Sequence, residues 1–210
     1  MYTPIHFEEN REEILCDFIS SHPLAAIVWR SPDGMVADHI PLFFKQTDED
    51  QGFLIGHVAK NNPIWRHASA QNVLVIFQGP NAYISPNWYS TKQDGGKVVP
   101  TWNYAAVHVN GTLRTIDDPQ WVLQQLETLT LIHERSQLNP WHISDAPLEY
   151  INRMVDAVVG IEIAITKLSG KWKVSQNQPA QNRCSVAEGL KASGSEAANA
   201  IAKLVLNAKE

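Results

Sequence analysis

The sequence contains none of the short patterns that mark common nucleotide-binding and hydrolytic enzymes, GxGxxG, GxxxxGK[ST], GxSxG and HExxH. A glycine-rich phosphate loop, a serine nucleophile on a sharp turn and a zinc-binding helix are therefore not indicated. The only two cysteines, Cys16 and Cys184, lie far apart and form no CxxC pair. Two separated cysteines do not form a disulfide framework. The eight histidines share no ligand spacing, so the sequence predicts no metal site.

Charge and long apolar runs are also scarce. The formal net charge is -5 and only 19% of the residues are charged, which disfavours a nucleic-acid binder that works by neutralising phosphates. No apolar run approaches the length of about 18 residues that a membrane helix needs. The first ten residues show no basic segment followed by an apolar one. We therefore expect a cytoplasmic protein with no membrane partner.

Apolar residues and tryptophan are abundant. The chain has 210 residues, 44% of them hydrophobic, and seven tryptophans, which suits one domain with a sizeable core. At least six predicted strands are linked mostly by short turns, and most helices come late. This order predicts a mainly β fold with peripheral helices, an antiparallel barrel. We expect the barrel domain at residues 1–180 and a C-terminal helical extension at 181–210, packed on the body or on a dimer partner.

Local signals give the expected elements. A capping box at Asn10 and Glu13 predicts a helix that ends at His22-Pro23, and Asp118-Pro119 predicts another through about residue 136. Strands are predicted at 24–29, 35–44, 53–58, 73–77, 82–84 and 158–168, with an acidic loop at 46–51 and one further strand from about residue 101. Breaks are predicted at Gly79-Pro80, Asn110-Gly111 and Ser169-Gly170. Further helices are expected at 147–155, 182–191 and 195–207.

One segment has the features of an anion site. Residues 56–63 read Gly-His-Val-Ala-Lys-Asn-Asn-Pro, with Asn62 as the expected N-cap and Pro63 as the first helical residue. Lys60 and the amides of Asn61 and Asn62 would then lie just ahead of a helix N-terminus, where a phosphate is favoured. The alternative is an ordinary capped helix with a surface lysine.

Two further segments could line a ligand pocket. Asn87-Trp88-Tyr89 and Thr101-Trp102-Asn103-Tyr104 flank one polar loop, so their rings and polar groups could hold a flat ligand. Residues 173–177, Lys-Val-Ser-Gln-Asn, gather polar donors after a strong strand. The alternatives are barrel-end packing for the aromatic residues and a solvated edge strand for residues 173–177.

Taken together, these segments resemble the PaiB family of FMN-binding negative transcriptional regulators, which is similar to the pyridoxamine-phosphate-oxidase-like flavin split barrels. The blocks that carry the resemblance run through nearly the whole chain in order. They are residues 1–7 (Met-Tyr-x-Pro-x-His-Phe), 38–42 (Asp-His-Ile-Pro-Leu), 56–63, 77–89 (Phe-x-Gly-Pro-x-Ala-Tyr-Ile-Ser-Pro-x-Trp-Tyr), 99–104 (Val-Pro-Thr-Trp-Asn-Tyr) and 173–177 (Lys-x-Ser-Gln-Asn).

The resemblance implies a six-stranded antiparallel split β-barrel that forms a homodimer, with FMN at the subunit interface. It implies that the cofactor-binding residues are His39, His57, Lys60, Asn61, Asn62, Trp88, Thr101, Trp102, Asn103, Lys173, Gln176 and Asn177. The turn after His57 would face the phosphate, His39 would lie along the flavin, and Thr101, Trp102 and Asn103 would come from the neighbouring subunit. The family often has an arginine soon after Ser-Gln-Asn, whereas this chain has Gln178.

Three functions compete on these residues. The first is an FMN-binding protein, either a transcriptional regulator or a weak flavin-dependent oxidoreductase, for which no catalytic acid or base is identified. The second is a DNA-binding regulator that uses the C-terminal helices, with flavin as a sensor. Those helices are rich in alanine and leucine rather than in base-reading side chains. The net charge also gives no support to a nucleic-acid partner. The third is a haem-binding or haem-degrading split barrel that uses one of the scattered histidines.

Overall fold

The computed structural model describes residues 1–47 and 51–208, which divide into two compact units. The larger unit contains Ile19–Phe77 and His108–Leu168, and the smaller unit contains Met1–Phe18, Gln78–Val107 and Ser169–Glu210. The predicted acidic loop at 46–51 lies partly outside the described residues. No helix within the described ranges is long and apolar enough to cross a membrane.

Eight strands and six α-helices make up the described chain. The strands are β1 Glu8–Glu9, β2 Leu24–Ser31, β3 Gly34–Pro41, β4 Phe43–Lys45, β5 Phe53–Ala59, β6 Asn72–Ile84, β7 Thr101–Ile116 and β8 Val158–Lys173. The helices are α1 Glu12–Ser21, α2 Ile64–His67, α3 Pro119–Glu134, α4 Leu148–Asp156, α5 Ala180–Ala192 and α6 Glu196–Asn207.

The strands form one mainly antiparallel sheet in the order β3-β2-β6-β7-β8-β5-β4, with β1 paired to β8. Six strands have seven or more residues, and β1 and β4 have two and three. The predicted mainly β fold is confirmed, whereas the sheet is open rather than closed into a barrel by hydrogen bonds. Pro41, which has no N–H to donate to a neighbouring strand, ends β3 at one side of the sheet.

Side-chain caps fix the starts of two helices. The Asp118 carboxylate accepts a hydrogen bond from the Gln120 N–H, 2.9 Å away, and Pro119 is the first residue of α3. The Ser195 hydroxyl accepts from the Ala198 N–H at 3.1 Å and caps α6. Each side chain satisfies an N–H that the helix itself leaves unpaired, which explains why the helices begin at these residues.

Three predicted breaks are wrong, because β6, β7 and β8 run through them without interruption. A glycine inside a strand often marks a place where another element approaches closely. A Cβ on Gly111 would lie 2.5 Å from the carbonyl oxygen of Ala164, and one on Gly170 would lie 2.7 Å from that of Glu9. These glycines permit close packing rather than a turn. The predicted strand at 35–44 is in turn divided into β3 and β4.

Each unit has its own apolar core. In the larger unit the largest fully buried side chains include Trp29 of β2, Leu54 of β5, Ile64 of α2, Phe77 of β6 and Ile161 of β8. In the smaller unit α5 and α6 pack on the end of β6, where Ile84, Val186, Leu190, Ile201 and Val205 are fully buried. The apolar faces of α5 and α6 are therefore core surfaces.

Candidate functional site

The residues predicted to bind a cofactor fall into two groups, one in each unit. His39, His57, Lys60, Asn61 and Asn62 lie in the larger unit. Trp88, Thr101, Trp102, Asn103, Lys173, Gln176 and Asn177 lie in the smaller unit. We call His57, Lys60, Asn61 and Asn62 the loop group, because they occupy the end of β5 and the turn that follows it.

The turn of the loop group is shaped by Asn62. Its side-chain Nδ2 donates to Asp38 Oδ1 at 2.8 Å, and its Oδ1 accepts from the Ile64 N–H at 2.9 Å. The predicted capping interaction is therefore present, although α2 begins one residue later than expected and has only four residues. A helix this short aligns few peptide dipoles, so anion binding by this turn would depend on its side chains.

Lys60 supplies the positive charge of the loop group. Its Nζ lies 3.4 Å from Asp117 Oδ1, and the two side chains are 40% and 59% exposed. An exposed pair of this kind contributes little stability, so the ammonium is accessible to an anionic ligand. Asn61 is exposed beside it, and His39 is exposed on the edge strand β3.

His57 is held by a residue that the sequence did not single out. Its Nδ1 donates to Gln125 Oε1 at 2.9 Å, which leaves Nε2 as an acceptor. Burial lowers the pKa of His57, and the hydrogen bond to Gln125 opposes that shift. Gln125 is only 3% exposed, and its Nε2 has no hydrogen-bond partner among the described residues. A polar residue three positions after Val122, on the apolar face of α3, was the available sequence signal.

Asp38 is a second residue without an assigned role in the sequence analysis. Its Oδ2 accepts from the Trp29 indole N–H at 2.7 Å, and its Oδ1 accepts from Asn62. One carboxylate therefore links a core tryptophan to the turn that carries Lys60. The available sequence signal was its place directly before His39 in residues 38–42.

The smaller unit contains a cavity of about 220 Å³ at the start of β7 and the end of β8, which we call the strand-end pocket. Polar and apolar side chains line it in similar measure. The lining residues are Phe7, Tyr89, Lys97, Val98, Val99, Thr101, Asn103, Lys173, Ser175, Asn177 and Gln178. Four of the predicted residues, Thr101, Asn103, Lys173 and Asn177, are thus brought together.

Hydrogen bonds fix the wall of the strand-end pocket. Asn103 Nδ2 donates to the Ser175 hydroxyl at 2.8 Å, and both residues are buried. The Lys173 ammonium donates to the Thr101 hydroxyl. Ser175 has a φ of 61°, a left-handed conformation that is uncommon for serine. Lys97 and Ser175 were not predicted as site residues.

Three predicted residues of the smaller unit, Trp88, Trp102 and Gln176, do not line the strand-end pocket. Trp102 alternates with Thr101 and Asn103 along β7, so it points to the opposite face, where its ring centroid lies 6.0 Å from that of Tyr83. Gln176 shapes the turn, since its Oε1 accepts from the Val174 N–H at 2.8 Å.

Trp88 packs against α5. A Cβ on Gly189 would lie 2.4 Å from its Cγ, so the indole covers the backbone of that helix. Its contacts in the smaller unit are those of a packing residue.

Comparison with known proteins agrees with the resemblance seen in the sequence. The profile of a family described as "Putative FMN-binding domain" matches residues 1–167. The "Protease synthase and sporulation protein PAI 2" of Bacillus subtilis is 31% identical over 206 residues, which cover 98% of this chain and 96% of that protein.

Two solved structures have a similar fold. The flavocytochrome Anf3 from Azotobacter vinelandii matches with a TM-score of 0.56 at 12% identity, over 79% of this chain and 69% of that one. The FAD and haem binding protein from Mycobacterium smegmatis matches with a TM-score of 0.54 at 17% identity, over 79% and 73% of the two chains. The predicted relation to flavin split barrels is confirmed at the level of the fold.

Proposed function

The chain belongs to the FMN-binding domain family and its cofactor is FMN, and from that premise we propose that it is a homodimeric flavoprotein. In this proposal the loop group of one copy and residues at the start of β7 of the other copy hold the same FMN. FMN supplies the redox chemistry when it is bound, while the protein binds and orients it.

The donor set of the loop group fits this cofactor. FMN carries a phosphate dianion, which is matched by an accessible ammonium and neighbouring amides, here those of Lys60 and Asn61. His57 is neutral near pH 7 because burial lowers its pKa, so Lys60 is the phosphate-binding cation. His57 Nε2 is an acceptor, which suits the N–H or hydroxyl groups of the flavin and its ribityl chain.

One buried atom carries the proposal best. Gln125 Nε2 is a donor with no partner among the described residues, in a side chain that is 3% exposed. A buried donor left unpaired costs about 1–3 kcal/mol and calls for an explanation. The carbonyl, ribityl and phosphate oxygens of FMN are acceptors of the kind that would satisfy it.

In this proposal the chemistry is redox chemistry, and FMN supplies it. Direct DNA reading by α5 and α6 is the alternative, and it is disfavoured because their apolar faces are used in the core of the smaller unit. The net charge of -5 also disfavours it. We expect the dimer to bind no DNA in a mobility-shift assay at low salt.

The proposal is tested by titrating the FMN-free protein with FMN and with riboflavin while recording flavin absorbance and fluorescence. We expect saturable binding of one FMN per chain, and a dimer by light scattering. Lys60→Met should weaken FMN about tenfold to a hundredfold, the contribution of one charged hydrogen bond, and leave riboflavin binding unchanged. Lys191→Met, on the exposed side of α5, is the matched control. A monomer, or a chain that binds neither flavin, contradicts the proposal.

A further inference from the structure

We infer that the strand-end pocket binds a small molecule carrying a carboxylate or phosphate group, as a second ligand beside FMN. The place of this ligand beside the cofactor rests on the proposed function. The binding of the anion itself depends only on residues of the smaller unit, so the two ideas can fail separately.

The size of the pocket suits a small ligand. Its volume of about 220 Å³ lies below the range of about 300–1,000 Å³ that encloses a drug-sized molecule. It is therefore too small to enclose the whole of FMN. A small organic acid or a phosphate ester fits this volume.

The charge of the pocket selects an anion. Lys97 and Lys173 both line it, and its lining within the described residues contains no carboxylate. A second groove in the same unit, of about 370 Å³, shows the contrast, because Glu8, Glu9 and Arg11 line it together. There the Arg11 Nε donates to Glu9 at 2.9 Å, so that cation is already paired. The ammonium of Lys173 instead donates to the neutral hydroxyl of Thr101 and keeps its charge for a ligand.

The pocket wall is held in place before any ligand arrives. Asn103 and Ser175 are 1% and 4% exposed and are joined by a hydrogen bond of 2.8 Å. Ser175 keeps a left-handed φ of 61°, and its carbonyl accepts from the Gln178 N–H at 2.9 Å. Backbone strain of this kind concentrates at binding sites, where the surrounding contacts maintain it. A fixed set of polar groups loses little entropy when it binds an oxyanion.

This inference gives Lys173 a different role from the one the family resemblance implies. The resemblance places Lys173 on FMN, whereas the pocket places its charge toward a second ligand. The two roles make opposite predictions for a variant that lacks this ammonium.

The test is isothermal titration of inorganic phosphate, and separately of acetate, into the full-length protein with and without bound FMN. We expect saturable binding of at least one of the two anions, and acetate against phosphate distinguishes the preferred group. Lys173→Met should weaken the affinity for the anion about tenfold to a hundredfold. Lys97→Met should weaken the affinity less, because Lys97 is exposed. Lys173→Arg keeps the positive charge and should keep the affinity. Lys191→Met serves as the control, and thermal unfolding checks that each variant is folded.

The result expected for the cofactor is that Lys173→Met leaves the affinities for FMN and riboflavin unchanged, and that FMN-loaded protein still binds the anion. The inference is overturned if no anion binds saturably, or if Lys173→Met has no effect on it. It is also overturned if FMN displaces the anion and Lys173→Met weakens FMN but not riboflavin, because the pocket would then hold the phosphate of the cofactor. Anion binding that depends on Lys173 in a protein that binds no FMN would reject only the proposed function.

Discussion

Replacing Asp38 with alanine removes the acceptor shared by a core tryptophan and the turn of the loop group. Asp38 Oδ2 accepts from the Trp29 indole N–H at 2.7 Å, and Oδ1 accepts from Asn62 Nδ2 at 2.8 Å. Trp29 is only 1% exposed, so water does not readily replace the lost carboxylate. The substitution therefore acts on the core and on the turn together.

The size of the effect follows from these two bonds. Leaving the buried indole N–H unpaired costs about 1–3 kcal/mol, and losing the partly buried Asn62 bond adds about 1 kcal/mol. We expect Asp38→Ala to lower the free energy of unfolding by about 3 kcal/mol. Asp38→Asn keeps one acceptor oxygen and should lower it by about 1 kcal/mol.

Urea unfolding followed by tryptophan fluorescence measures the loss, and a double-mutant cycle with Trp29→Phe assigns it. Phenylalanine has no indole N–H, so in that background Asp38→Ala should lower the free energy of unfolding by only about 1 kcal/mol. The same loss in both backgrounds would refute the reasoning, because it would mean that the bond to Trp29 contributes nothing.

Three further predictions concern strain, close packing and pH. Ser175→Gly should be more stable than Ser175→Ala by about 1 kcal/mol in thermal or urea unfolding, because glycine adopts the left-handed backbone without strain. Both variants lose the hydrogen bond from Asn103, so that loss cancels in the comparison. Equal stabilities would contradict the strain. Gly111→Ala should lower the free energy of unfolding by about 1–3 kcal/mol because its Cβ would meet the Ala164 carbonyl, and an unchanged urea midpoint would contradict that contact. Burial lowers the pKa of His57 below 6.5, so the unfolded chain binds a proton at this residue more tightly than the folded chain. The stability that neutral His57 contributes is therefore present above pH 6.5 and declines as the pH falls below it. His57→Gln should flatten this decline in the free energy of unfolding, and identical pH profiles for the two proteins would contradict it.

Local signals predicted the helices well because caps act within a few residues. Asp118 and Ser195 bond to N–H groups two and three residues further on, so both partners are visible in one short stretch. The turn residues Ser31-Pro32-Asp33-Gly34 are equally local, and β2 and β3 pair across them with Ser31 opposite Gly34.

The glycine dipeptides were misread because the reason for each glycine lies elsewhere in the chain. Asn110-Gly111 has the composition of a hairpin turn, yet Gly111 is needed where β8 approaches at Ala164. The same local sequence serves a turn and a close strand contact, and only the packing distinguishes them.

The candidate site was predictable in its residue types but not in its partners. Lys60 and Asn62 were identified from an eight-residue segment. The partner of His57 is Gln125, 68 residues away, and the partner of Asn103 is Ser175, 72 residues away. Side chains alternate between the two faces of a strand, so Trp102 points away from Thr101 and Asn103. The motif Thr101–Tyr104, read as one continuous segment, gives no sign of this.

The central claim is that one FMN is held by two copies of the chain, and a mixed dimer tests it most directly. One variant, Lys60→Met with Asn61→Ala, removes the loop group's exposed donors, and the other, Trp102→Ala, removes the exposed ring at the start of β7. The two chains are co-expressed with different affinity tags, and the mixed dimer is purified through both. We predict that neither parental dimer retains FMN and that the mixed dimer binds one FMN, because one of its two sites is intact. A mixed dimer that binds no FMN would contradict the claim, since each site would then lie within a single chain.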